Sequence, residues 1–275
     1  MTDSPKIVFL LVNYFNEKEA CSFVEEQLKP NINNFIEIVI TDNGSNNFDL
    51  LQQLSLKCKS VSVVKSNTNL GYFGAANLGL TEYLKNKELP DAVVICNTDI
   101  ELKDNFFKDL QQKLASEKFD ILGPAIYSTF LNYNQNPYIP ERISTAKLKF
   151  LHFISSNYIL YSLLTVYFLT KAKLVNNKKN ETNKEIKNPY AVHGSFMVFN
   201  KSFFQKGGTI NYPAVLFGEE IFIAEQARKL NLITVYASEL KVKHHEHATT
   251  GVFKSRQAVK FLYQSYTYLL KTFFN

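Results

Sequence analysis

At 275 residues and 45% hydrophobic composition the chain can bury a sizeable core, which excludes the disordered and collagen-like classes. The formal charge of +6 with lysine-rich stretches favours anionic partners, and alone does not choose among nucleotides, nucleic acid and anionic lipid. Cys21, Cys58 and Cys96 lack metal-ligand spacing and read as reduced thiols of a cytosolic protein, and no stretch supplies the roughly 20 apolar residues of a membrane-spanning helix.

In chain order, residues 6–13 (KIVFLLVN) form an apolar run that predicts a central strand, followed by a helix over about 17–28. A second strand, 36–41, ends in Asp42-Asn43-Gly44-Ser45. Asn-Gly supplies a tight turn there, and the acceptor oxygens of Asp42 stay at the strand's carboxyl end. A third strand, 61–65, feeds a loop in which Gly71 and Gly74 let backbone approach a ligand, then a helix over about 75–84. The run 92–102, AVVICNTDIEL, predicts a buried strand stopping at Asn97-Thr98-Asp99. A carboxylate just past a strand end lies where open α/β sheets hold ligands, so Asp99 is the first candidate for chemistry. Strands alternating with helices predict a mostly parallel, doubly wound sheet covered on both faces.

An amphipathic helix over 104–117 and an apolar segment over 121–127 follow, and then the rhythm breaks. Residues 127–140 read as a loop, and 145–174 as aromatic helix flanked by Lys147, Lys149, Lys171 and Lys173. That helix suits an anionic membrane interface, or packing as a hairpin on the sheet or on a second subunit in a homo-oligomer. Residues 175–188 are highly polar. Further on, 190–208 read as strand, short helix and turn, 218–231 as a helix, and 233–237 and 240–243 as two short strands. From 252 the chain alternates basic with aromatic residues, as a core-capping helix or an interfacial anchor would.

The phrases VNYFNE from Val12, TDNGSN from Thr41, NTNLGYFGAANLGL from Asn67, VICNTDIEL from Val94, HGSFMVFNKSFFQKGG from His193, FGEEIFIAEQARKLN from Phe217 and HHEHATTG from His244 stand in the order and setting of glycosyltransferase family 2. The chain resembles that family, and within it the bacterial branch containing surface-polysaccharide rhamnosyltransferases and galactosyltransferases. The resemblance implies an α/β GT-A fold: a Rossmann-like, mostly parallel sheet flanked by helices, with an aromatic helical insert and a C-terminal helix. It implies one catalytic domain over 1–251, made of a nucleotide-sugar half (1–126), the insert (127–189) and an acceptor half (190–251), with the C-terminal helix over 252–275. The implied activity is inverting sugar transfer from a UDP- or dTDP-sugar to a glycan or lipid-linked acceptor, at the cytoplasmic face of the membrane. The anionic partner is then a nucleotide sugar and not a nucleic acid.

The resemblance also implies roles. Asp99 would hold a divalent cation, Mg²⁺ or Mn²⁺, against the diphosphate, with Asn97 where the family carries a first acid and His244 beside it as a further metal ligand. Asp42 would accept the imide N–H of uracil or thymine, and as a residue alone it also suits an ordinary turn. Asn13 would border the same pocket, or cap its strand. Asn69, Gly71 and Asn77 would line the donor site, although glycine-rich turns also occur without phosphate. Glu220 is the expected base and Glu219 its neighbour orienting the acceptor; both also suit a helix N-terminus, which favours acids by about 0.3–1 kcal/mol each. Phe222 replaces an acid common two residues later. His245 and His247, with His244 and Glu246, also admit a zinc reading, and His193 and His152 read as packing residues. The departures Asn97, Glu220 and Phe222 leave one alternative, a catalytically silent nucleotide-sugar or glycan-binding subunit. A nicotinamide oxidoreductase is disfavoured because no GxGxxG follows the first strand.

Overall fold

The computed structural model describes residues 5–31, 35–45, 48–103, 105–174, 186–246 and 254–274. The first unit alternates as expected: β1 (Ile7–Asn13), α1 (Glu17–Phe23), β2 (Ile36–Asn43), α2 (Asp49–Lys57), β3 (Val61–Ser66), α3 (Tyr72–Leu84) and β4 (Ala92–Cys96). The helix expected to reach Leu28 instead widens into a π turn at Val24–Leu28 and tightens at Lys29–Asn31, where Pro30 has no N–H to continue it. Helix α3 begins three residues early because Gly71 caps it at φ 80°. A side chain at Gly71 would also meet the Val215 backbone at 2.5 Å.

The second unit comprises β5 (Ile100–Leu102), α4 (Phe106–Ser116), β6 (Ile121–Ser128), β7 (Tyr133–Asn134), α5 (Thr145–Ser155), α6 (Tyr158–Leu174), β8 (Phe196–Asn200), α7 (Lys201–Gln205), α8 (Glu219–Leu230), β9 (Thr234–His244) and α9 (Arg256–Phe273). The two short strands expected before His244 are one strand, β9, whose pairing with β6 shifts register after Pro124. The bulge lets β9 also pair antiparallel with β5, setting Ile100 opposite His244.

Among the described residues one sheet has the order β3-β2-β1-β4-β8-β6-β9-β5, with β7 on β6. The first four strands are parallel, as expected, and β8 then enters antiparallel between β4 and β6. Both expected halves therefore share one sheet. Chain order reverses between β1 and β4, and the crevice beyond the carboxyl ends of strands at such a switch point is where open α/β sheets bind ligands.

Alternation along β1 sends Ile7, Phe9 and Leu11 to one face, under α1, α2 and α4. Val8 and Leu10 go to the other, under α3, α7 and α8. The abundant aromatics are largely core. Phe222, on α8, packs with Tyr212, Tyr268 and Phe273 and fastens α9 to the domain, so the site of the missing acid is a buried docking point. The insert is pinned by Arg142, which makes paired hydrogen bonds of 2.6 and 3.1 Å to the buried carboxylate of Glu225 on α8.

Candidate active site

At the switch point the Asn97-Thr98-Asp99 loop is held from both sides. The N–H of Asn97 donates to the Ser195 carbonyl at 2.9 Å, and the N–H of His245 donates to the Asp99 carbonyl at 2.9 Å. Thr98 Oγ1 donates to Glu19 at 2.5 Å and accepts from Asn16 at 3.0 Å. The Asp99 carboxylate is thereby aimed at His244, whose Nε2 lies 3.2 Å from Asp99 Oδ1; that oxygen is buried and accepts no hydrogen bond.

The tautomer of His244 follows from its other nitrogen. Gln135 donates its amide N–H to Glu246 at 2.8 Å, which turns the amide oxygen towards His244 Nδ1 at 2.9 Å. Glu246 is itself held by the Ser128 hydroxyl. Nδ1 therefore carries the proton and Nε2 presents a lone pair, met only by a long 3.4 Å contact to the Asn97 amide. A carboxylate oxygen and an imidazole lone pair converge with no proton between them. That arrangement fits a divalent cation, whose positive charge would satisfy both. Among the described residues no three His, Cys, Asp or Glu side chains converge on such a site, so a cation there needs oxygens from another molecule. The zinc reading has no such cluster, His245 turns instead to Glu101 at 3.0 Å, and His247 lies outside the described residues.

Asp42 and Asn13 are both fully buried at adjacent strand ends. Asn13 donates to Asp42 Oδ1 at 2.8 Å and Ser45 donates to the same oxygen, whereas Asp42 Oδ2 is buried and accepts nothing. The turn reading is thus served by Oδ1, and the pocket reading rests on the open acceptor at Oδ2 alone. Asn69 accepts from Gly71 N–H at 2.8 Å and from Asn43 at 3.0 Å, while Asn43 accepts from Leu70 N–H at 2.8 Å. These bonds tie the glycine-rich loop to the end of β2. A cleft of ≈ 710 Å³ runs along this edge, with Asn69, Gly71, Asn97 and Asp99 in its wall, whereas Asn13, Asp42, Asn77, Glu219, Glu220 and His244 are not among the residues lining it. Gly74 faces Leu70 and not a ligand.

Glu219 and Glu220 open α8 behind Gly218, a left-handed residue at φ 84°. Both accept from backbone N–H groups at the helix start, as dipole complementarity expects, yet both are held above the ordinary carboxylate range. For Glu219 the first cause is burial and the second the charge of Glu220, and it is pushed up to about 8. For Glu220 burial is the first cause, partly opposed by hydrogen bonds from its own N–H and that of Gly194. Gly194 N–H reaches Glu220 at 3.2 Å, and the next ring, His193, lies 6.2 Å from His244. His193 is neutral, held down to about 4 by burial and then by His244, and its Nδ1 accepts from Ser195 N–H at 3.1 Å. It is the packed link between the two acidic centres.

Sequence reasoning missed several members. The Tyr72 hydroxyl, at the first turn of α3, is buried without a hydrogen-bond partner. Burial pushes it well up, and the charges of Asp99, Glu219 and Glu220 add to this. Its hydroxyl is thus within electrostatic reach of both Asp99 and the acid pair. Tyr138, Gln135, Asn43, Gln257 and Phe261 also belong here. Tyr138 feels Glu220 most strongly and stacks edge-on with His193 at 4.8 Å. Gln257 and Phe261 bring α9 to the cleft wall.

The low-salt glycan biosynthesis hexosyltransferase Agl10 of Haloferax volcanii is 22% identical over 251 residues, covering 91% of this chain and 70% of that protein. A mannosyltransferase from Pyrobaculum calidifontis, solved with GDP-Man and Mn²⁺, matches at TM-score 0.51 and 12% identity over 91% of this chain. GalNAc-T7, solved with UDP, GalNAc and Mn²⁺, matches at TM-score 0.56 and 10% identity over 98% of it. This chain spans 59% and 57% of those two solved chains, and the likeness places it in the GT-A fold. The model of glycosyl transferase family 2 matches residues 10–208, well over half of the sequence, and the chain belongs to that family.

Proposed function

We propose that this glycosyltransferase moves a hexosyl group, with inversion, from a UDP- or dTDP-sugar to a saccharide acceptor of a surface or lipid-linked glycan. The observation that carries the reading is the convergence of the unpartnered Asp99 Oδ1 and the His244 Nε2 lone pair beside the raised acid pair. The named relative in glycan biosynthesis and the two Mn²⁺-bearing neighbours support it.

Glu220 takes the proton of the acceptor hydroxyl as that oxygen attacks the anomeric carbon from the face opposite the nucleoside diphosphate. The bond to the diphosphate breaks and its electron pair leaves on the phosphate oxygen. Glu219, raised by burial and by the charge of Glu220, orients the acceptor. Tyr72 offers its hydroxyl within electrostatic reach of both centres. Asp99 and His244 would hold Mg²⁺ or Mn²⁺, which supplies charge neutralisation to the departing diphosphate.

Asp42 supports the choice of nucleotide. One of its oxygens is occupied by Asn13 and Ser45, so one acceptor remains, which would match the single imide N–H of uracil or thymine where the base reaches this fully buried carboxylate behind the cleft wall. Guanine presents two donors on that edge. A thermal-shift screen with Mn²⁺ and UDP-, dTDP- and GDP-sugars tests the reading. Stabilisation by a uridine or thymidine donor is expected, about 2.7 kcal/mol at a hundredfold excess over Kd. Selective stabilisation by GDP-sugars, or by none, would refute it.

Gln135 acts through His244. Gln135→Leu removes the acceptor that fixes the tautomer, and Mn²⁺ affinity in the presence of UDP is expected to fall about 10- to 100-fold with little change in melting temperature. Titration calorimetry reads this without turnover.

A further inference from the structure

Helix α6 is built inside out. The half-buried side carries Tyr161, Ser162, Leu164 and Thr165, with the Ser162 and Thr165 hydroxyls bonded back to carbonyls one turn earlier. The outward side carries Ile159 (65% exposed), Leu163 (62%), Val166, Tyr167 and Phe168, continued on α5 by Phe150 and Phe153. A ridge of this kind on a water-soluble surface marks something that covers it.

Charge chooses the cover. Helices α5, α6 and α9 pack on one another, through His152 stacked on Tyr263 at 4.5 Å and Arg256 over Tyr158 at 5.4 Å. None of the three contains an aspartate or glutamate; α5 bears Lys147 and Lys149, and α9 bears Arg256 and Lys260. A second copy docked here would set these cations against their own kind. An anionic lipid surface would attract each of them while accepting the apolar ridge. No described helix is long and apolar enough to cross a membrane, which suits a helix lying in the interface.

We infer that the α5–α6–α9 face docks on anionic phospholipid bilayers, laying the α6 ridge in the headgroup region. Helix α9 joins this face to the cleft through Gln257 and Phe261, and its Tyr266 is raised by burial first and also by Glu220. The docked cleft therefore takes its acceptor from the membrane surface, as a saccharide on a lipid carrier. That last step rests on the transferase reading; docking itself does not.

Flotation of the full chain, without donor, is run with vesicles of phosphatidylcholine alone and of phosphatidylcholine mixed with phosphatidylglycerol. Flotation is expected with the mixed vesicles, reduced by salt and weak on phosphatidylcholine alone. The Leu163→Glu/Tyr167→Glu double variant is expected to stay unbound with an unchanged melting temperature. Reversal of Lys147 or Lys149 should weaken binding about fivefold each. Failure to float with either vesicle would overturn the proposal. So would a dimer in light scattering that the double variant splits, since the ridge would then cover a second copy. Flotation without sugar transfer to any acceptor would leave docking standing and strike the transferase reading alone.

Discussion

Glu220→Gln lowers kcat by about two to four orders of magnitude while donor affinity changes by no more than a few-fold, because the amide keeps the shape of the side chain and loses the base. The pH profile carries the same signature. A base works only when ionised, so the wild-type rate rises with pH. Burial holds Glu220 above the usual glutamate range, which moves that rise to higher pH than a solvated glutamate would give. The variant loses the rise. Glu219 is raised as well, pushed up to about 8 by burial and then by the charge of Glu220, and the two titrate as a pair. Initial rates over pH 5 to 9 at saturating donor check both statements.

Asp99→Ala is expected to lower kcat/KM by about three orders of magnitude, since charge stabilisation by a bound cation would be worth several kcal/mol. Binding measurements separate this from a folding defect. Two protein side chains make a weak site alone, so Mn²⁺ binds poorly to the free wild-type chain and well once UDP supplies phosphate oxygens. Asp99→Ala removes the second behaviour and leaves the first almost unchanged. Asn97 contributes no negative charge to this corner, so cation binding is expected to depend on the nucleotide.

The parallel half of the fold was legible because its signals are local. Apolar runs ending in turn-forming or acidic residues fix β1, β2 and β4, and their carboxyl ends fix Asn13, Asp42 and Asp99. What sequence could not give was pairing at long range. The antiparallel entry of β8 between β4 and β6, and the bulge that makes β9 one strand, depend on partners a hundred or so residues away. Gln135 was hidden for the same reason: nothing in an asparagine- and tyrosine-rich loop announces that one amide will orient a histidine on β9. Tyr72 was read past because it sits among glycines that drew attention to backbone. Asn77, which the family resemblance implied for the donor site, lies on α3 and is not among the residues lining the cleft. Phe222 weighed towards a silent subunit in sequence; its place in the aromatic cluster with Tyr212 and Tyr268 gives it a packing reason and removes that support.

In the proposed single displacement Glu220 is the base. The anomeric proton of the product, followed by NMR from the first turnovers with a donor of known configuration, reports the stereochemistry. A product of opposite anomeric configuration to the donor is expected, formed by the wild type and lost in Glu220→Gln. A product that keeps the donor's configuration, or one formed at the wild-type rate by that variant, would contradict the proposed displacement.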